Sequence, residues 1–191
     1  MRKLALAVAL TTLSCTAFAA AENYTIDPDH TYPHFAINHL GFSTMHGRFN
    51  STKGKIVMDR TGGASAVDIT IDAASVDTGH KKRDDHLRSP DFLNVAEFPE
   101  ITYKSTKVTF NGPSKATVDG NLTIAGVTKP VRLDVQRINC GIHPMDPKKE
   151  KFVCGFDATT KIKRSDFGVK FALPAVGDEM VITLEAEGVR N

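Results

Sequence analysis

The 191-residue chain contains no tryptophan and only three tyrosines against eleven phenylalanines, so most of its aromatic surface carries no polar atom that needs a partner when buried. Neither sign of charge dominates. With 24 basic and 22 acidic residues and a formal net charge of +2, nothing points to a nucleic-acid partner or a polybasic membrane surface. No apolar run reaches the ~20 residues that a membrane-spanning helix needs. Chemical signatures are equally scarce: the chain has no Gly-rich phosphate loop, GxSxG elbow, HExxH or CxxC pair, which weakens most familiar enzyme readings. What remains, 41% hydrophobic and 24% charged, is an ordinary globular composition with room for one domain, at most two.

The first 19 residues read as a secretory signal peptide. Met1-Arg2-Lys3 is cationic, residues 4–10 are apolar, and Ala17-Phe18-Ala19 supplies the small-x-small pattern that precedes cleavage. Cleavage near Ala19 leaves residues 20–191 as a single domain with an expected periplasmic address. Arg2 and Lys3 depart with the signal, leaving 22 basic against 22 acidic residues. Cys15 departs too. Cys140 and Cys154 remain, and an oxidising compartment makes a disulfide between them the expected state. The intervening residues 141–151 are rich in Gly, Pro, Asp and Lys, the composition of a hairpin loop.

Period-two alternation governs the rest of the chain. Val67-Asp68-Ile69-Thr70-Ile71-Asp72 places three β-branched apolar side chains on one face and polar ones on the other, as expected of a strand with one wet side. Residues 101–105, 122–125, 131–136 and 180–187 alternate similarly, with turn chemistry at 59–63, 111–114, 119–121 and 174–178. An all-β antiparallel barrel or sandwich follows. One stretch departs from the pattern. Near residues 84–94 the chain reads as short helical turns, Ser89 capping, Pro90 at the first helical position and Asp91 beside the positive helix start.

Two clusters invite a chemical reading. His30, His34, His39 and His46 fall within seventeen positions, yet His34 and His39 lie an odd number of residues apart and point to opposite faces of a strand. Pro33 spoils a helical pairing of His30 with His34. No metal site and no cofactor are therefore expected. His80, Asp84, Asp85 and His86 have acid–base potential but no nucleophile beside them, so they serve better as the polar rim of an apolar cavity than as an enzyme's catalytic residues.

Several blocks then resemble the YceI-like family of exported isoprenoid-binding proteins. They are Tyr24-Thr25-Ile26-Asp27 with His30, Phe35-Ala36-Ile37-Asn38-His39-Leu40-Gly41, Gly47-Arg48-Phe49, Val76-Asp77-Thr78, residues 83–93, Phe98-Pro99, residues 120–131, and Arg164-Ser165-Asp166-Phe167-Gly168. The ordered set spans nearly all of residues 20–191. The resemblance implies an extended lipocalin-like antiparallel β-barrel of about eight strands, a periplasmic location, a homodimer, and no enzymatic activity. The ligand it implies is a polyisoprenoid chain of quinone or polyprenyl phosphate type, and a transient membrane contact is a further expectation. The missing tryptophan separates the chain from true lipocalins, and the cysteine pair is not required by the family pattern.

A barrel of this size either fills with side chains or encloses a ligand. Composition alone favours the filled core, and the resemblance favours a tunnel. Its expected wall is Phe35, Ile37, Phe42, Met45, Phe49, Leu87, Phe92, Leu93, Phe98, Phe110, Phe156 and Phe167. His39, Arg83, His86 and Arg88 are expected at the mouth, where arginine can pair with phosphate and histidine can hydrogen-bond a quinone oxygen. A promiscuous scavenger of hydrophobic molecules and a metal- or haem-binding stress protein are the alternatives, the latter requiring the histidines to converge.

Overall fold

The computed structural model describes residues 21–191; the signal-peptide reading lies outside the described residues. The described residues form eleven strands: β1 (Glu22–Ile26), β2 (Tyr32–His39), β3 (Ser43–Phe49), β4 (Thr52–Met58), β5 (Ala66–Asp72), β6 (Val76–Asp77), β7 (Glu100–Phe110), β8 (Ala116–Ile124), β9 (Val127–Ile142), β10 (Phe152–Lys163) and β11 (Val176–Arg190). One helix, α1, spans Lys81–Leu87. All pairings are antiparallel, in the order β1-β4-β5-β7-β8-β9-β10-β11-β2-β3-β6, and a further β1–β11 pairing closes eight strands into a barrel.

The three remaining strands extend three of those eight. Along β11, β1 pairs at Tyr24↔Arg190 and Ile26↔Gly188, and β2 resumes at Tyr32↔Glu185. β1 and β2 therefore lie end to end. The same holds for β4 and β3 along them, and for β5 and β6 beside those. All three breaks fall at one level of the barrel. A single 3-10 turn at Pro28–His30 makes the first, with Asp27 as its cap and Pro28 unable to donate to a ladder; Asn50 and Ser51 make the second, and a capped turn at Ala73–Ser75 the third. The Asn50 amide donates to the Ser75 carbonyl and the Asp72 amide to Ser51, stitching the seam. Above it β3 has, on its edge away from β2, only the two residues of β6 beside it, and α1 with the turns at 88–97 covers that sector.

The expected alternation is seen, with longer strands than the sequence pattern marked. Val67, Ile69 and Ile71 face inward in β5, while Asp68 reaches outward to Lys104. The helix lies earlier than expected. His80, not Ser89, caps it, accepting from the Arg83 amide at 3.3 Å. Ser89 starts only one turn, its carbonyl accepting from Phe92 and Asn94, because Asn94 at φ 47° reverses the chain. Cys140 and Cys154 face each other across β9 and β10 and form a disulfide with Cα atoms 4.0 Å apart. Cys154 packs with Tyr24 and Met58 in a buried cluster bordered by Phe110, Phe152 and Phe156, and this cluster closes one end of the barrel.

Candidate functional site

Inward-facing side chains from all eight strand positions surround a cavity of about 480 Å³. Ile37, Phe35 and Pro33 contribute from β2, Met45 and Phe49 from β3, Val131, Leu133 and Val135 from β9, and Met180, Ile182 and Leu184 from β11. Along β11 the lining runs from Val176 to Ala186, roughly 34 Å of strand, or about 25 Å along the axis at the usual barrel tilt. Met58 marks the closed end, and His39, Arg83, His86 and Phe171 mark the other.

The wall keeps its polar groups engaged. Tyr103 lies across Gly120, where a Cβ would come within 2.5 Å of its ring, and its hydroxyl sits 3.0 Å from the Val118 carbonyl and 3.1 Å from that of Val131. Burial pushes the Tyr103 phenol well above its ordinary range, so it stays a neutral donor. Arg164 is 4% exposed, and its guanidinium donates to the carbonyls of Gly177, Val169, Phe171 and Val176 at 2.8–3.1 Å. Desolvation lowers its pKa, but an arginine remains charged. Only Thr52 leaves a buried side-chain oxygen without a partner among the described residues.

Of the residues expected in the wall, Phe35, Ile37, Met45, Phe49, Leu87, Phe92, Leu93, Phe110, Phe156 and Phe167 line the cavity. Two do not. Phe42 stands 90% exposed in the β2–β3 turn, because its amide closes that turn on the His39 carbonyl and carries the side chain past the strand. Phe98 lies over the β8–β9 turn, its ring occupying the space where a Cβ on Gly126 would fall, 2.5 Å away. Gly126, at φ 77°, suits that close approach.

At the mouth, His39, Arg83 and His86 border the cavity and Arg88 does not. Arg88 donates to the carbonyls of Ala74 and Val76 and pairs with Asp85, fastening α1 to the seam. Arg83 gives Nε and one terminal nitrogen to Thr78 and has no carboxylate partner among the described residues. His86 places Nε2 2.8 Å from Asp91 Oδ2 and its ring edge-on to Phe92 and Phe171. Asp84 is buried and accepts from the Thr78 amide at 2.9 Å. His80, Asp84, Asp85 and His86 are thus each bound into local structure and do not converge on one point.

The N-terminal histidines scatter as well. His34 faces Glu185 at 3.5 Å and His46 is exposed; both border the cavity, as His39 does, but from different strand positions. Asp27, His30 and Glu187 each bring one ligand atom within 4.8 Å of the others, but Lys151 Nζ stands 3.8 Å from the same Asp27 carboxylate.

A closed antiparallel barrel around a deep apolar cavity, polar at one end and sealed at the other, defines the class to which the protein belongs. Within that class the chain is a member of the YceI-like family, whose domain model matches residues 24–188. It is 41% identical to a UPF0312 protein of Pseudomonas aeruginosa over 195 residues, covering all of both chains. It is 40% identical to Protein YceI of Salmonella arizonae over 182 residues, 94% of this chain and 93% of that one. Among solved structures, a Campylobacter jejuni YceI protein superposes with a TM-score of 0.68 at 30% identity over 81% of this chain and 90% of the other. A polyisoprenoid binding domain from Saccharophagus degradans shares the fold, with a TM-score of 0.63 at 16% identity over 88% of this chain and 98% of that one.

Proposed function

We propose that this protein holds a polyisoprenoid chain, of the quinone or polyprenyl phosphate type, in its barrel and carries or stores it in the periplasm. The observation that supports this most is the cavity's lining: predominantly apolar from Met58 to Met180, with His39, Arg83 and His86 at the mouth. Such a space fits a long hydrocarbon tail with one polar head. Each buried methylene contributes about 0.8 kcal/mol, so one isoprene unit gains on the order of 4 kcal/mol. Arg83 spends Nε and one terminal nitrogen on Thr78, and its remaining N–H groups, without a partner among the described residues, can reach a phosphate or quinone oxygen. The polyisoprenoid-binding domain of Saccharophagus degradans lends further support through the shared barrel.

Native mass spectrometry and solvent extraction of protein purified from the periplasm should release an isoprenoid; protein that is consistently empty would falsify the reading. Ile37→Trp, which projects an indole into the lumen, should reduce loading with an unchanged circular dichroism spectrum. Equal loading in wild type and variant would remove Ile37 from the binding wall.

A further inference from the structure

The phenylalanine that stands outside the cavity has company. Phe42 is 90% exposed, Leu40 47% and Phe171 45%, and all three ring the open end. The Leu40 amide donates to the Ala175 carbonyl, which brings the β2–β3 turn against the 171–176 loop. Phe171 is shared between the two environments: part of its ring packs on His86 and Phe92 inside the mouth, and the rest faces outward.

Single exposed apolar residues are ordinary on soluble proteins. The turn carrying these is not. Its hydrogen bond from Phe42 to His39 encloses Leu40 at φ 58° and Gly41 at φ 76°, a geometry that favours asparagine or glycine at both central positions. A leucine there is unfavourable for the backbone and leaves 47% of its surface exposed. The charges around this rim are uneven as well. Asp85 is taken up by Lys81 and Arg88, and Asp91 by His86, while Lys82 and Lys170 are exposed with no carboxylate partner among the described residues. An apolar tip flanked by uncompensated cations complements an anionic lipid surface.

We propose that Leu40, Phe42 and Phe171 form a docking tip that inserts into the headgroup–acyl boundary of an anionic bilayer, placing the cavity mouth against the membrane. The inference deepens the isoprenoid-binding reading and rests on it, since a tail can then pass between bilayer and cavity without crossing water. Docking is transient: three side chains and two lysines supply reversible partition, not insertion.

The test is flotation of the full protein with vesicles of phosphatidylethanolamine and phosphatidylglycerol, compared with phosphatidylcholine vesicles. Wild type should float with the anionic vesicles, less so as salt is raised, and little with phosphatidylcholine. The double variant Leu40→Asn, Phe42→Ser should lose about tenfold or more in partition. Because asparagine suits the turn, it should melt no lower than wild type. Lys82→Gln and Lys170→Gln should each lose about fivefold on anionic vesicles alone. Met145→Ser, altering a residue 84% exposed in the 143–151 loop at the closed end, should float as wild type does. Wild type that ignores both vesicle types, a double variant that still floats, or an equal loss from Met145→Ser would overturn the proposal. So would a wild-type dimer that the double variant dissociates, since a second copy would then occupy the rim. Extraction of the same samples separates the two readings. Isoprenoid-loaded protein that does not float refutes docking alone, whereas empty protein that floats refutes the ligand and upholds docking.

Discussion

Arg164 forms no salt bridge among the described residues, and Asp178 is hydrogen-bonded to Ser165 instead, yet its guanidinium organises the loop between β10 and β11 through four backbone carbonyls. Arg164→Met leaves those carbonyls unpaired and should cost at least about 3 kcal/mol in urea denaturation. Arg164→Lys should recover only part of it, because an ammonium cannot span the same fork. A loss under about 1 kcal/mol in the methionine variant would mean that water replaces the guanidinium. The sequence offered one hint of this residue, the Arg164–Gly168 block of the family pattern, but a buried arginine served by carbonyls has no charge partner to betray it. His30 makes a different case. The hydrogen bond from its Nδ1 to Asp27 raises its pKa above 6.5. Burial works to raise Asp27, but the bonds from His30 and the Asp29 amide outweigh it and hold that carboxyl below 3.8. The raised histidine stabilises fully below pH 6.5 and loses its effect as pH climbs through the folded value. The lowered carboxyl stabilises above pH 3.8 and loses its effect as pH falls through its own folded value. Urea midpoints should therefore decline from pH 6 to pH 8 in wild type and stay flatter in His30→Gln. Parallel profiles would assign the pH dependence to another group.

Elements were legible where one face meets the cavity and the other meets water. The apolar members of the runs at 67–71 and 131–135 all line the cavity, so period two located wall positions better than residue type did. Of the eight phenylalanines expected in the wall, six line the cavity, whereas Phe42 and Phe98, which sit beyond strand ends where alternation no longer applies, do not. The three broken strands were hidden for another reason: a break costs only one local turn, while the ladder that realigns the first pair, β1 and β2, is contributed by β11, more than a hundred residues away in sequence. The β9–β10 hairpin is the element whose cross-link can be tested. Fourteen residues separate Cys140 from Cys154, and closing a loop of that size contributes about 3 kcal/mol by restricting the unfolded chain. Reduction with dithiothreitol, or Cys140→Ser with Cys154→Ser, should lower stability by about that amount and leave the far-ultraviolet spectrum unchanged. Native-state hydrogen exchange should quicken first in residues 138–156. A uniform change along the barrel would show that the bridge acts on the whole fold rather than on its hairpin.

For the whole molecule, the two ends of the barrel have opposite tasks. The mouth is held by loops and one short helix, whereas the closed end has a disulfide, Tyr24 with no exposed surface and its hydroxyl on Glu22, and Met58 between them and the lumen. A tail entering at His86 therefore gains apolar contact until it meets Met58, and no further. At about 4 kcal/mol per isoprene unit, unlimited gain would soon exceed the roughly 18–21 kcal/mol ceiling of noncovalent binding, so the depth of the cavity, not hydrophobicity, sets the preferred chain length. Retention of isoprenoids of graded length, measured by competition and extraction, should rise with each unit and then level off. Met58→Ala removes most of the side chain at the floor without touching the mouth, and should move the plateau toward longer chains. It should cost about 2–5 kcal/mol of stability in the empty protein, as for other truncations in packed cores, with part of the loss recovered when a longer tail fills the space. Affinity that keeps climbing with length in the wild type would mean that the tail leaves through the closed end. A plateau unmoved by Met58→Ala would place the floor higher in the barrel, at the level of the seam.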